Sequence, residues 1–172
     1  MATKTKWLID ATHSEINFKV KHMMISNVTG HFEKFDGYVE TETDSFKGAE
    51  FSFVAEIDSI NTKNEQRDTH LKSDEFFDVA THPQLKFVSK SFDGSNLTGD
   101  LTIKGVTKEV TLDTDFNGIA VDPYGQTKAG FELQGSLNRT DFGLTWSAVT
   151  EAGNVVVSDT IKLIADIQFV KQ

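Results

Sequence analysis

Apolar and polar residues alternate with a period of two along most of this chain. Between positions 15 and 22, Ile16, Phe18, Val20 and His22 fall on one side, and Glu15, Asn17, Lys19 and Lys21 on the other. Between 49 and 58, Ala49, Phe51, Phe53, Ala55 and Ile57 share a side, with Val54 the exception among their polar partners. The same alternation marks Leu85 and Phe87, then Leu97, Leu101 and Ile103 after a Gly94-Ser95-Asn96 turn signal. It returns in Val110, Leu112 and Phe116, in Phe131, Leu133 and Leu137, and from Ile161 through Leu163, Ala165 and Ile167 to Phe169. This is the signature of half-buried strands. Trp7-Leu8-Ile9 and Tyr38-Val39 predict two further short strands.

Each long strand has one wet face. Strands of a helix-covered parallel sheet would be apolar on both faces, so the pattern predicts an antiparallel, all-β fold. About seven to nine such strands must enclose one apolar side, as a two-sheet sandwich or as a barrel closed on itself. Closure also removes exposed edges. Helical signal is confined to residues 62–73, where Thr62 is placed to cap and Glu65 follows three residues later. That segment is strongly polar and is expected to lie across the surface. A shorter turn is expected over residues 23–28. Without linker, repeat or low-complexity stretch, residues 1–172 are expected to form a single domain.

Composition narrows the function. A chain of 172 residues buries enough surface to fold without a staple. It has no cysteine, which removes disulfides and thiol chemistry and leaves only His, Asp and Glu as metal ligands. Fourteen Phe stand against two Tyr and two Trp. Phe has no polar handle and belongs in a core or an apolar cavity. The net charge of −9, with no Lys/Arg stripe, disfavours nucleic acid and anionic membranes and suits solubility. No apolar run is long enough for a transmembrane span. No basic start leads into an apolar signal segment, so the expected compartment is the cytoplasm, or the periplasm if a signal has been removed.

The inward candidates for lining a cavity are Phe18, Val20, Phe51, Phe53, Phe87, Leu101, Leu112, Phe131, Leu133, Leu163 and Ile167. His22 lies on the same face, as a polar cavity contact, a metal ligand, or a core histidine with a satisfied hydrogen bond. No histidine pair has metal-binding spacing and no HExxH occurs, so no metal site and no cofactor are expected. Arg67, Asp68 and His70 cluster on the expected helix, as an anchor to the sheet or as a polar gate at a cavity mouth. No GxSxG elbow accompanies them. Arg139 is placed to pair with Asp141, or to meet an anionic ligand head. Phe76-Phe77 and Met23-Met24 either cap an opening or join the core. Lys104-Gly105-Val106 is too short for a phosphate cradle.

An ordered series of motifs spans nearly the whole chain. It begins with Asp10-x-x-His13-Ser14-x-Ile16-x-Phe18-x-Val20-x-His22, Gly30-His31-Phe32 and Phe35-x-Gly37. It continues through Ser59-Ile60-x-Thr62, Arg67-Asp68-x-His70-Leu71 and Ser73-Asp74-x-Phe76-Phe77-Asp78. Pro83-x-x-x-Phe87, Gly99 to Thr107 and Asn138-Arg139-x-Asp141-Phe142-Gly143-Leu144 complete it. In these stretches the chain resembles the YceI-like, polyisoprenoid-binding family. That resemblance implies an eight-stranded antiparallel, lipocalin-like β-barrel with a short helix covering one end. It also implies an elongated cavity for an isoprenoid chain or similar amphiphile, and often a homodimer.

The expected function is therefore a non-enzymatic carrier or sequestering protein for a polyisoprenoid, isoprenoid quinone or prenyl pyrophosphate. The competing readings are a solid-core barrel acting through a protein partner, and a lipid-directed hydrolase or isomerase using His22 or His70 as base.

Overall fold

The structure, a computed structural model, describes residues 4–23, 25–144 and 157–172. The described residues form β1 (Thr5–Ile9), β2 (Glu15–His22), β3 (Ser26–Phe32), β4 (Phe35–Thr41), β5 (Glu50–Glu56) and β6 (Ile60–Asn61). After helix α1 (Glu65–Lys72) come β7 (Gln84–Phe92), β8 (Asn96–Ile103), β9 (Val106–Val121), β10 (Thr127–Asn138) and β11 (Val157–Lys171). All pairings are antiparallel. The ring runs β1-β4-β5-β7-β8-β9-β10-β11, and β11 pairs back to β1.

The three strands outside that list extend the barrel walls. Along β11, Asp166 faces Glu15 of β2 and Phe169 faces Ile9 of β1. β1 and β2 thus form one wall strand broken by a 3-10 turn at Ala11–His13. β3 continues into β4 and β6 continues from β5 in the same way, with β3 pairing β2 and β6. The result is an eight-stranded closed barrel with one short helix, as the alternation and the family resemblance led us to expect. No helix is long and apolar enough to cross a membrane.

Local chemistry sets the turns. Lys104 and Gly105 both take positive φ (52° and 75°), the two-residue hairpin geometry whose twist matches the flanking strands. Asp93 accepts from the amides of Ser95 and Asn96 and so starts β8.

Two expectations are corrected. Residues 23–28 are not a turn alone, because β3 begins at Ser26 and pairs with β2 through Val20 and Val28. The helix is also shorter than residues 62–73. Asn64, whose side chain accepts from the Arg67 amide, is its cap, and Thr62 is held by Asp68.

The interior is unevenly filled. At one end the rings interlock: Phe131 lies 4.9 Å from Phe116, 5.2 Å from Phe46, 5.5 Å from Phe51 and 5.8 Å from Phe169 between centroids. Trp7, Val39 and Leu97 are buried in the same cluster. Outside this end, an ionic clasp ties the β9–β10 hairpin to the turn after β1. Lys128 Nζ lies 2.7 Å from Asp10 Oδ2 and 3.5 Å from Asp122 Oδ2, and His13 Nδ1 lies 2.8 Å from Asp10 Oδ2.

Burial raises the Asp10 carboxyl, but hydrogen bonds from Lys128, Thr12 and His13 together outweigh it and hold the group well below the usual carboxylate range. A carboxyl depressed in the folded state contributes stability above its ordinary value of 3.8 and loses it as pH falls further. Asp10→Asn is therefore expected to lower the midpoint of urea unfolding at pH 7. It should also flatten the loss of stability of the parent protein below about pH 4, so that the two curves converge in acid.

Candidate functional site

The opposite end is hollow. A cavity of about 80 Å3 in the lumen is walled almost entirely by carbon. Phe53, Phe87, Leu101, Leu112, Leu133, Leu163 and Ile167 line it, joined by Ile16, Leu85 and Val110. A second cavity, of about 400 Å3, opens beneath α1. Phe18, Val20, Lys21 and His22 of β2 form one wall of it, and Thr62, Arg67, His70, Leu71 and Phe76 another.

The two cavities stand back to back. In the β2–β11 ladder Phe18 faces Leu163, and Phe18 lines the mouth while Leu163 lines the lumen. Ile16, two residues along the same face of β2, also lines the lumen. Adjacent side chains on one face of β2 thus border the two cavities.

Glycines shape this region. A Cβ on Gly37 would stand 2.9 Å from the Phe53 ring, and one on Gly99 2.7 Å from the Phe87 ring. A Cβ on Gly135 would stand 2.5 Å from Leu112 Cδ2, and one on Gly30 would collide with the tip of the Phe18 ring. The lining side chains thus lie back against bare backbone instead of projecting into the lumen.

The mouth is polar on one side. Arg67 donates from Nε to Thr62 Oγ1 (2.8 Å) and from Nη2 to the Thr62 carbonyl (2.6 Å). Asp68 accepts from the Thr62 amide (2.9 Å) and hydroxyl (2.5 Å). This network pins α1 to the end of β6. His70 Nε2 meets Glu75 Oε2 at 2.5 Å, and its ring stands edge-on to Phe76 at 5.0 Å. The cluster both anchors the helix and presents Arg67 and His70 to the cavity. Among the described residues no group of three His, Asp or Glu side chains gathers to hold a metal.

Residues 7–169 match the YceI-like domain family. The chain belongs to that family. It is 39% identical over 166 residues to a UPF0312 protein of Staphylococcus aureus, covering 96% of this chain and 97% of the relative. A Staphylococcus epidermidis UPF0312 protein is 37% identical over the same length. Among solved structures, a mutant Campylobacter jejuni YCEI protein with a monobromobimane guest structure superposes with a TM-score of 0.75 at 33% identity, covering 88% of this chain and 90% of that one. A Saccharophagus degradans polyisoprenoid binding domain shares the fold at 16% identity, with a TM-score of 0.70 over 96% of this chain and 98% of that domain.

Within this YceI-like barrel the remaining candidates lie elsewhere. Phe51 and Phe131 sit in the interlocked ring cluster and line neither cavity. Phe77 is half-buried between the two apolar clusters. Met23 is 39% exposed in a left-handed conformation, and Met24 lies outside the described residues.

Arg139 is the largest departure. It is 2% exposed and does not pair with Asp141. It donates to the carbonyls of Ser158 (3.0 Å), Leu144 (2.6 Å) and Val157 (3.4 Å), and lies 3.4 Å from Asp159. Burial lowers its guanidinium pKa, and Asp159 partly offsets that. Its donors tie the end of β10 to the start of β11, and it lines neither cavity.

The sequence reading missed Lys21, Asn64, Gln66 and Val157 at the mouth, and Leu85 and Val110 in the lumen. Leu85 and Val110 share the inward register of Phe87 and Leu112, so the alternation contained them. Nothing in the sequence marks Asn64 or Gln66 as facing a cavity.

Proposed function

We propose that this YceI-like protein takes up a long isoprenoid lipid through the mouth beneath α1 and holds its tail in the barrel lumen, as a carrier or sequestering protein. The observation that carries the reading is the adjacency of the two cavities, a roomy, part-polar mouth and a carbon-walled lumen, which meet at the cross-strand neighbours Phe18 and Leu163. The polyisoprenoid binding domain of Saccharophagus degradans, which shares this fold, supports it.

The lumen cavity of about 80 Å3 admits only a few carbons, so uptake of a longer tail requires the side chains that line it and its neighbour Phe18 to move apart. Each buried CH2 then contributes about 0.8 kcal/mol. Ordering of the tail and parting of those side chains oppose that gain. An apolar wall distinguishes tails differing by one methylene by only about 1–3 kcal/mol, so tail selection is coarse. The cavities favour this reading over a barrel packed solid throughout.

Native mass spectrometry and organic extraction of the purified protein test the proposal. A co-purifying or titratable prenyl lipid at one per barrel is expected, and a protein that ignores prenyl lipids in titration overturns it. Phe53→Glu sets a carboxylate in the apolar lumen, where ionisation is strongly disfavoured. It is expected to abolish lipid uptake, read by loss of the lipid-bound mass peak.

A further inference from the structure

The hairpin between β2 and β3 ends in an aliphatic tip. His22 and Ser26 form its last pair, and the Ile25 amide donates to the His22 carbonyl (3.2 Å), so residues 23–25 turn the chain outside the sheet. Met23 is exposed there in a left-handed conformation, and Ile25 is 81% exposed and joins neither core cluster. Behind the tip, strand pairing builds a patch of like charge. Lys162 of β11 stands directly opposite Lys19 of β2, and Lys21 shares the wet face of Lys19. Like charges facing each other across a ladder are destabilising. No ion pair neutralises them: among the described residues the lysine bridges use Lys4, Lys72, Lys90 and Lys128. β3, on the other side of β2, contains no Asp or Glu, and Asp159 near the start of β11 lies 3.4 Å from Arg139. Four residues farther from the tip on the same two strands, Asp166 faces Glu15. This wall therefore carries a charge gradient, basic toward the tip and acidic away from it.

We propose that the β2–β3 hairpin tip docks on an anionic lipid bilayer, with Met23 and Ile25 entering the boundary between headgroups and acyl chains and Lys19, Lys21 and Lys162 leaning on the anionic headgroups. Exposed aliphatic side chains backed by unpaired lysines are the chemistry of interfacial membrane binding. All three lysines lie within four residues of the tip, about 13 Å of strand. The chain's net charge of −9 opposes an anionic surface overall, and the gradient along this wall selects the one approach in which attraction is near and repulsion is far. The docking does not depend on what the lumen holds and goes beyond the lipid-binding reading. Its consequence for that reading is direct, because His22 beside the tip lines the mouth cavity. A docked barrel therefore brings its mouth to the bilayer, and a lipid enters without crossing water.

The test is co-sedimentation of the full chain with vesicles of phosphatidylcholine, with and without phosphatidylserine, at low and high salt. Binding to the phosphatidylserine vesicles at low salt is expected, with loss at high salt and on neutral vesicles. Lys19→Gln with Lys162→Gln is expected to weaken it about tenfold or more, and Ile25→Ser about tenfold. Removing the facing lysines relieves a like-charge contact, so the loss reads docking and not folding. Lys86→Gln with Lys90→Gln, the same change of charge on β7 across the ring, is expected to leave binding within about twofold. Orientation is read separately. The chain has no cysteine, so Ile25→Cys and Tyr124→Cys each accept a single environment-sensitive fluorophore. Tyr124 is 90% exposed in the β9–β10 hairpin, at the opposite end of the barrel. A blue shift on vesicles is expected for the label at 25 and none for the label at 124. A shift at 124 instead, or no binding to phosphatidylserine vesicles, overturns the proposal. A label at 25 that shifts with protein concentration in the absence of vesicles marks the tip as a contact between copies and also overturns it. A protein that takes up prenyl lipid from solution but ignores vesicles keeps the lumen reading and loses this one.

Discussion

Phe131→Ala is expected to cost about 3–5 kcal/mol of unfolding free energy, the range for deleting a fully buried aromatic ring. The size follows from position. Phe131 is 1% exposed, stacks on Phe116 of β9 and meets the edges of Phe51 of β5, Phe169 of β11 and Phe46 from the β4–β5 connection. Removing it strips a partner from every one of those rings, and a closed sheet has little freedom to collapse onto the gap. For a domain of this length the loss should appear as a fall in melting temperature of roughly 6–20 °C. The contrasting variant is Phe53→Ala. Phe53 is only half-buried and already borders the lumen cavity, so its truncation enlarges an existing space and should cost clearly less. Urea unfolding of the two variants decides the matter. Equal losses would mean that the barrel is not divided into a solid end and a hollow end.

That division is what the sequence could not express. Alternation assigns Phe51, Phe53, Phe131 and Leu133 to the inside of the barrel, and all four are there. Whether an inward ring interlocks with others or borders a void depends on which residues meet it from across the lumen, and those are set by strand tilt and register, not by the strand itself. Phe51 and Phe53 are two residues apart on one face of β5, yet only Phe53 reaches the cavity.

β3 was illegible for a related reason. In Ser26–Phe32 the inward positions are Val28, Gly30 and Phe32, and Gly30 breaks the apolar count. Its place is filled by the Phe18 ring, supplied from β2. Arg139 shows the limit of reasoning from neighbours in sequence. Asp141 lies two residues away, but a 3-10 turn at Arg139–Phe142 directs the guanidinium toward the start of β11, where carbonyls and Asp159 await it. The helix cluster was legible because Arg67, Asp68 and His70 act through Thr62 and Glu75, all within one short segment.

Gly135→Ala is expected to weaken lipid uptake by about tenfold or more while leaving the fold as stable or slightly more so. Gly135 lacks a positive φ, so alanine fits its backbone. Replacing glycine at such a position stabilises by about 0.4–1 kcal/mol through the unfolded chain. The added methyl meets Leu112 Cδ2 first, and the nearest backbone atom is 3.6 Å away. Leu112 therefore has to yield, and the open direction is into the lumen cavity it lines. That space is about 80 Å3, so one displaced isobutyl group removes a large share of it, and a methylene's worth of lost room corresponds to roughly 10-fold or more in affinity. At Gly30 the added methyl would collide with the Phe18 ring and also stand 2.8 Å from Thr62 Cγ2, a side chain held by Asp68 and Arg67, so Gly30→Ala is expected to cost stability as well as uptake. Thermal unfolding and lipid titration of the Gly135 variant separate the two roles a lumen glycine can have. If Gly135 serves only strand packing, stability falls and uptake by the surviving folded protein is unchanged. If it holds the lumen open, uptake falls and stability does not.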